Sequence, residues 1–197
     1  MKIILMLGVA ATNVKKSHYN FLNILSEKLN CETDVFHWKK DHHYIGENLP
    51  FKIIRNFTCE VIVDFQTSIL NAQKIKVPKA DVYIGHSAGS IIAFAQKNSN
   101  CITLGSPISL VETMNEKDKD VKFMMQVLNH NKERKVLNII QKYDIISYPI
   151  NKNNVENFTY SDGILKPLYY LPITSHFSYW RSKKVINKIV KTIKEWQ

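Results

Sequence analysis

Short apolar runs alternate along this chain with longer stretches of helical periodicity, and that alternation most narrows what it can fold into. Residues 2–8 are nearly unbroken Ile, Leu and Met ending at Gly8, the pattern of a strand buried on both faces. Phe21, Leu22, Ile24, Leu25 and Leu29 then keep three-and-four spacing, which predicts a helix, with Ser17 as its cap. Strands are expected at 33–38, 80–85, 101–104, 135–141 and 168–171. Helical runs separate several of them: 51–75, where Val61-Ile62-Val63 favours strand but the length outruns one, 91–97, 109–132 and the C-terminal segment. Residues 39–50 read as a polar loop broken by Gly46 and Pro50. Residues 151–167 read as loop, with Asn153-Asn154 and Asp162-Gly163 as turns. Strand alternating with helix predicts an α/β three-layer sandwich, in which a mostly parallel central sheet of about six strands is covered on both faces.

A length of 197 residues suits a single domain, 1–197, with no linker or repeat to divide it. Hydrophobic residues at 45% and charged residues at 22% exclude a disordered chain. No apolar run reaches the ~18 residues of a membrane span, so stable membrane insertion is not expected. The apolar N-terminus, about a dozen residues, is shorter than the usual signal peptide of roughly 15–30, and a buried strand is the better reading. Cys31, Cys59 and Cys101 are odd in number and widely spaced, which fits a reducing, cytoplasmic setting better than a disulfide framework or a zinc site. No metal or organic cofactor is implied, and His42-His43 lacks a third ligand nearby.

The net charge of +10 gathers near the C-terminus, at Arg181, Lys183, Lys184, Lys188, Lys191 and Lys194. Val185, Ile186, Ile189, Val190, Ile193 and Trp196 interleave with them at helical spacing. The lysines are therefore read as the wet face of an amphipathic helix, and nucleic-acid binding is not expected.

Chemistry enters at Gly85-His86-Ser87-Ala88-Gly89, a GxSxG match. Roughly one chain of this length in fifteen would hold such a match by chance, so the setting matters more than the pattern. A strand ends at this motif and a helix begins just after it. The nucleophile turn needs that arrangement, with glycines where the backbone crowds.

From these residues the chain resembles the α/β-hydrolase superfamily, nearest its small lipases, esterases and thioesterases. The resemblance spans nearly the whole chain: the first strand ending Leu7-Gly8-Val9, the Gly-His-Ser-Ala-Gly turn, the Leu-Gly-Ser-Pro stretch at 104–107, Asp144, and His176 late in the chain. It implies the order nucleophile, acid, histidine, which Ser87, Asp144 and His176 keep. Serine is a weak nucleophile until a base takes its proton, and imidazole suits that work near neutral pH. His176, past the last expected strand, is the candidate base. Asp144, just after the strand at 135–141, is the candidate acid that holds the imidazole's tautomer. Asp162 is its rival, with a plain turn as the alternative role. His86 is expected only to pack. The resemblance also points to the backbone N–H groups of Ala88 and Val9 as the oxyanion hole, although Leu7 stands where the family often has histidine.

Residues 106–132 read either as a small lid, with Leu110, Val111, Met114, Phe123, Met124, Val127 and Leu128 over an acyl pocket, or as an ordinary packed helix. The leading expectation is a serine hydrolase acting on a small carboxylic ester or thioester, which the positive charge could help collect if anionic. The alternatives are a non-catalytic ligand-binding protein on the same scaffold, and a basic adaptor whose last helix meets anionic lipid or nucleic acid.

Overall fold

The structure, a computed structural model, describes residues 1–8, 14–37, 75–96, 98–111, 134–162 and 175–197. Within these, six strands form one sheet: β1 Lys2–Met6, β2 Glu32–Phe36, β3 Val82–His86, β4 Asn100–Leu104, β5 Val136–Gln141 and β6 Val155–Tyr160. All neighbouring pairs run parallel, in the order β2-β1-β3-β4-β5-β6. The helices are α1 Lys16–Leu29, α2 Gly89–Ala95, the short α3 Ile108–Val111 and α4 Lys183–Trp196, with a 3-10 turn at Tyr179–Arg181 before the last.

The central strands are apolar on both sides, and their residues divide alternately between two cores. Ile3, Leu5, Leu7, Val82 and Ile84 face the side where Phe21, Leu22, Leu25, Val185, Ile186, Ile189 and Ile193 pack from α1 and α4. Ile4, Met6 and Tyr83 face the opposite side, against Ile91, Ile92 and Phe94 of α2. Period-2 alternation with apolar residues in both phases demands a cover on each face. Each fully buried side chain of this kind contributes roughly 1.5–3 kcal/mol. The layered parallel sheet is thus the one read from the sequence, and the N-terminal run is its second strand in spatial order, not an appended segment. The terminal lysines lie on the outer face of α4: Lys188 pairs with Glu156, and Lys184 donates to the Ser161 carbonyl at 2.5 Å.

Two local readings are corrected. Residues 151–167 were expected as loop, yet Val155–Tyr160 is edge strand β6, in register with β5 from Val136↔Val155 to Gln141↔Tyr160. An edge strand needs an apolar partner on little of its surface, so Glu156, Asn157 and Thr159 disguise it. Asn157, a turn former by composition, instead completes a hydrogen-bond network with the Asn138 side chain and the backbone of Ile150. Ser17 is not the cap of α1. The cap position is Lys15, and its N–H is accepted by the His18 ring at 3.0 Å. The expected helix at 51–75 and strand at 168–171 lie outside the described residues, as does most of 106–132.

This strand order fixes where a ligand crevice belongs. From β1 the chain goes to one side to make β2, then returns past β1 to make β3 on the other side. In open parallel sheets the crevice lies beyond the carboxyl ends of the strands at such a switch point. Here those ends are Leu7-Gly8 and His86-Ser87.

Candidate active site

Ser87 is the first residue after β3 and holds φ at 52°, in the left-handed region that non-glycine residues rarely enter. Three glycines make room for the turn. A Cβ on Gly8 would fall 2.4 Å from the Ser87 Cβ, and one on Gly85 would fall 2.4 Å from the Ser90 Cα. A Cβ on Gly89 would strike the Met6 and Leu7 carbonyl oxygens, each at 2.5 Å. The chain therefore crosses from β3 into α2 pressed against the end of β1. Hydrogen bonds complete the turn. The Ser87 N–H donates to the Leu104 carbonyl at 3.0 Å, and the Ser87 carbonyl accepts from the Ser90 N–H at 2.9 Å and the Ser90 Oγ at 2.5 Å. Ser90 Oγ also meets Ser106 Oγ at 2.7 Å, and Ser106 Oγ accepts from the Ile108 N–H at 3.2 Å.

The second half of the site lies beyond β5. Asp144 Oδ2 is 2.8 Å from His176 Nδ1, with both side chains buried. The same oxygen accepts from the Tyr179 hydroxyl at 2.7 Å, and Oδ1 accepts from the Ile146 N–H at 3.0 Å. Burial alone would raise the Asp144 pKa. The hydrogen bond and charge of His176 outweigh it, helped by Tyr179 and the Ile146 amide, and hold the carboxyl below its ordinary range. With Nδ1 committed to the carboxylate, Nε2 of His176 is buried and has no hydrogen-bond partner among the described residues. A buried ring nitrogen left this way is unusual enough to call for a reason.

His86 and Gly105 join the halves. The His86 ring packs on the His176 ring at 4.8 Å, and its Nε2 lies 2.8 Å from the His176 carbonyl oxygen. A carbonyl only accepts, so Nε2 carries the proton. Burial, followed by the neighbouring His176, pushes the His86 pKa down to about 3, which leaves the ring neutral. Gly105 follows the Leu104 carbonyl that holds Ser87, and its φ is +58°. A Cβ there would fall 2.9 Å from Asp144 Oδ2, 2.9 Å from Tyr179 Cε2 and 3.0 Å from His176 Cε1. The strand-end segments carrying Ser87, Asp144 and His176 therefore meet at one edge of the sheet.

Of the residues singled out in the sequence, His176 and Asp144 are in direct contact, and Ser87 stands at the adjoining turn. Ala88 opens α2, while Val9 lies outside the described residues, as do His42, His43 and Cys59. Asp162 is occupied elsewhere, accepting from Ser182 Oγ at 2.8 Å at the start of α4. His86 does more than pack, since it carries the bond to the His176 backbone. Sequence reading missed Tyr179 and Ser90, whose one signal is spacing, since each lies three residues after a candidate side chain; Ser106 entered only as part of the Leu-Gly-Ser-Pro stretch. Among the described residues, no group of three His, Cys, Asp or Glu side chains is placed to hold a metal ion, and no helix is long and apolar enough to cross a membrane.

The sequence matches no protein-family model and no curated protein. Solved structures do match. A dienelactone hydrolase from Anabaena variabilis superposes with a TM-score of 0.55 at 11% identity, over 99% of this chain and 84% of that one. Est1E from Butyrivibrio proteoclasticus gives 0.51 at 13% identity, over 99% and 86%. Identities this low speak to the fold alone. With its parallel sheet, its switch point and its strained serine turn, this chain has the α/β-hydrolase fold in a minimal form.

Proposed function

We propose that this protein is a serine hydrolase that cleaves a small carboxylic ester or thioester through an acyl-enzyme on Ser87. The observation that carries the reading is the state of His176: Nδ1 is held by Asp144 at 2.8 Å, while Nε2 is buried and, among the described residues, unpartnered beside a serine turn. A base for a hydroxyl needs one nitrogen anchored and the other left open for the nucleophile's proton.

In this reading Nε2 takes the Ser87 proton as Oγ attacks the carbonyl carbon. Asp144 keeps the proton of the neutral ring on Nδ1 and stabilises the imidazolium as it forms. The tetrahedral oxyanion is received by the N–H of Ala88, with that of Val9 as the second donor. Losing such a donor typically costs about 100- to 1,000-fold in rate. His176 then protonates the leaving alcohol or thiol. Water, deprotonated by the same nitrogen, releases the acid and restores Ser87. No step calls on a metal or organic cofactor. The net charge of +10 favours an anionic substrate as the one collected.

The test is labelling by a fluorophosphonate probe, together with hydrolysis of short p-nitrophenyl esters. Wild-type protein should do both, and Ser87→Ala should do neither. Labelling that persists in Ser87→Ala would overturn the assignment. Ligand binding without turnover, indifferent to Ser87→Ala, would replace it with a non-catalytic binding role.

A further inference from the structure

The position of Tyr179 is fixed more tightly than packing requires. The residue is fully buried, and its ring abuts Gly105 and packs on His86 and Tyr160, each at 5.8 Å between centroids. Its hydroxyl has two partners: it accepts from the Gln141 N–H at 3.0 Å and lies 2.7 Å from Asp144 Oδ2. The amide can only donate and the carboxylate can only accept, so the direction of both bonds is forced. The phenol proton must point at Asp144. Asp144 Oδ2 therefore serves two donors at once, the Tyr179 hydroxyl and the His176 ring.

We infer that Tyr179 is a positioning residue that acts through Asp144 to set both the orientation and the basicity of His176; this rests on the reading of His176 as the base. The orienting effect is geometric. Two donors on Oδ2 and the Ile146 amide on Oδ1 leave the carboxylate one rotamer. The electrostatic effect follows from charge. A donor on Oδ2 draws carboxylate charge away from the imidazole and so weakens the stabilisation of the imidazolium. Burial and the Asp144 charge keep the phenol itself protonated, with a pKa raised well above its ordinary value.

Other titratable groups pack around this cluster. His86, from β3, is neutral. Tyr160, from β6, packs on Tyr179, and its hydroxyl meets Ser178 Oγ at 3.2 Å. His18, from α1, lies behind Trp180, and burial followed by the charge of Lys15 holds it down at about 4. Tyr143 lies on the Asp144 loop, where its carbonyl accepts from Ser175 Oγ.

The experiment follows the His176 imidazole through a pH titration by NMR in the Ser87→Ala background, so that the readout does not depend on turnover. Tyr179→Phe removes only the hydroxyl and should raise the midpoint by about 0.5–1 unit. In the active enzyme the acid limb of kcat/KM should rise by the same amount, with a fall in kcat from lost orientation. Fluorotyrosine at position 179 keeps the ring and strengthens the donor, so it should move the midpoint the other way. A purely structural residue would not give opposite shifts. A midpoint unchanged or lowered in Tyr179→Phe, or raised by fluorotyrosine, overturns the inference and leaves the hydrolase reading standing. Conversely, probe labelling that survives Ser87→Ala removes the reading while the titration still reports on Tyr179.

Discussion

At the end of β3, Ser87 is placed by hard contacts: three glycines lie where any Cβ would fall 2.4–2.5 Å from a neighbouring atom. Beyond β5, Asp144 and His176 are placed by hydrogen bonds among buried side chains, with Tyr179 and the Ile146 amide as the other donors. Steric placement has no tolerance and leaves a fixed mark in sequence, because only glycine fits. Polar placement is graded. Each donor adds a part, several residue types could supply it, and the partners come from remote positions. The first half should therefore fail abruptly when altered, and the second by degrees.

The largest effect should come from the steric half. Gly89→Val puts a branched side chain onto the carbonyl oxygens of Met6 and Leu7, which are backbone at the end of β1 and cannot swing aside. The loss should exceed about 4 kcal/mol, enough to remove most of the stability of an ordinary domain. Thermal unfolding followed by circular dichroism would check it. A variant that melts within a few degrees of wild type would show that the turn is looser than its contacts imply.

His86 stands between the halves, and its effect should appear as a pH dependence. Its folded pKa of about 3 lies below the ordinary imidazole value, so the folded state resists a proton that the unfolded chain accepts. Its contribution to stability is complete above about pH 6.5 and is lost as pH falls toward the folded value, at up to about 1.4 kcal/mol per unit. His18, held down at about 4, adds a similar slope over a narrower range. His86→Gln keeps a donor for the His176 carbonyl but does not titrate. Chemical denaturation between pH 6 and 4 should show its slope reduced by roughly the share of one histidine, about 1.4 kcal/mol per unit. An unchanged slope would mean that the ring is already solvated in the native state.

The same contrast explains what could be read from sequence. The sheet was legible because β1 and β3–β5 are apolar in both phases, and the serine turn because glycine has no substitute at those positions. Asp144 and His176 were legible as candidates through chain order and strand-end placement. Tyr179 was not, since a tyrosine three residues past a histidine is ordinary helix-turn composition, and only the fold brings the Gln141 amide to its oxygen. Strand β6 was hidden for a related reason: Asn157 looks like turn material until Asn138 and Ile150 are placed around it. Local crowding writes itself into local sequence, but a polar partner drawn from a distant segment does not.

The smallest effect tests whether the steric half borrows anything from hydrogen bonding. The Ser106 hydroxyl meets Ser90 Oγ while accepting from the Ile108 N–H, and Ser90 reaches the Ser87 carbonyl at 2.5 Å. The Ser87 carbonyl can only accept, so Ser90 donates to it, and Ser106 must donate to Ser90. The chain of donors thus ends on the residue held at φ 52°. Ser90→Ala breaks it, leaving Ser106 without its acceptor, although the Ser90 N–H bond to the same carbonyl at 2.9 Å survives. If contacts alone hold the turn, the cost should be about 1 kcal/mol, that of one buried hydroxyl pairing, with probe labelling of Ser87 nearly unchanged. Labelling that falls by an order of magnitude at unaltered stability would show that the serine's orientation is tuned by the hydroxyl chain, and the division between a steric half and a polar half would dissolve.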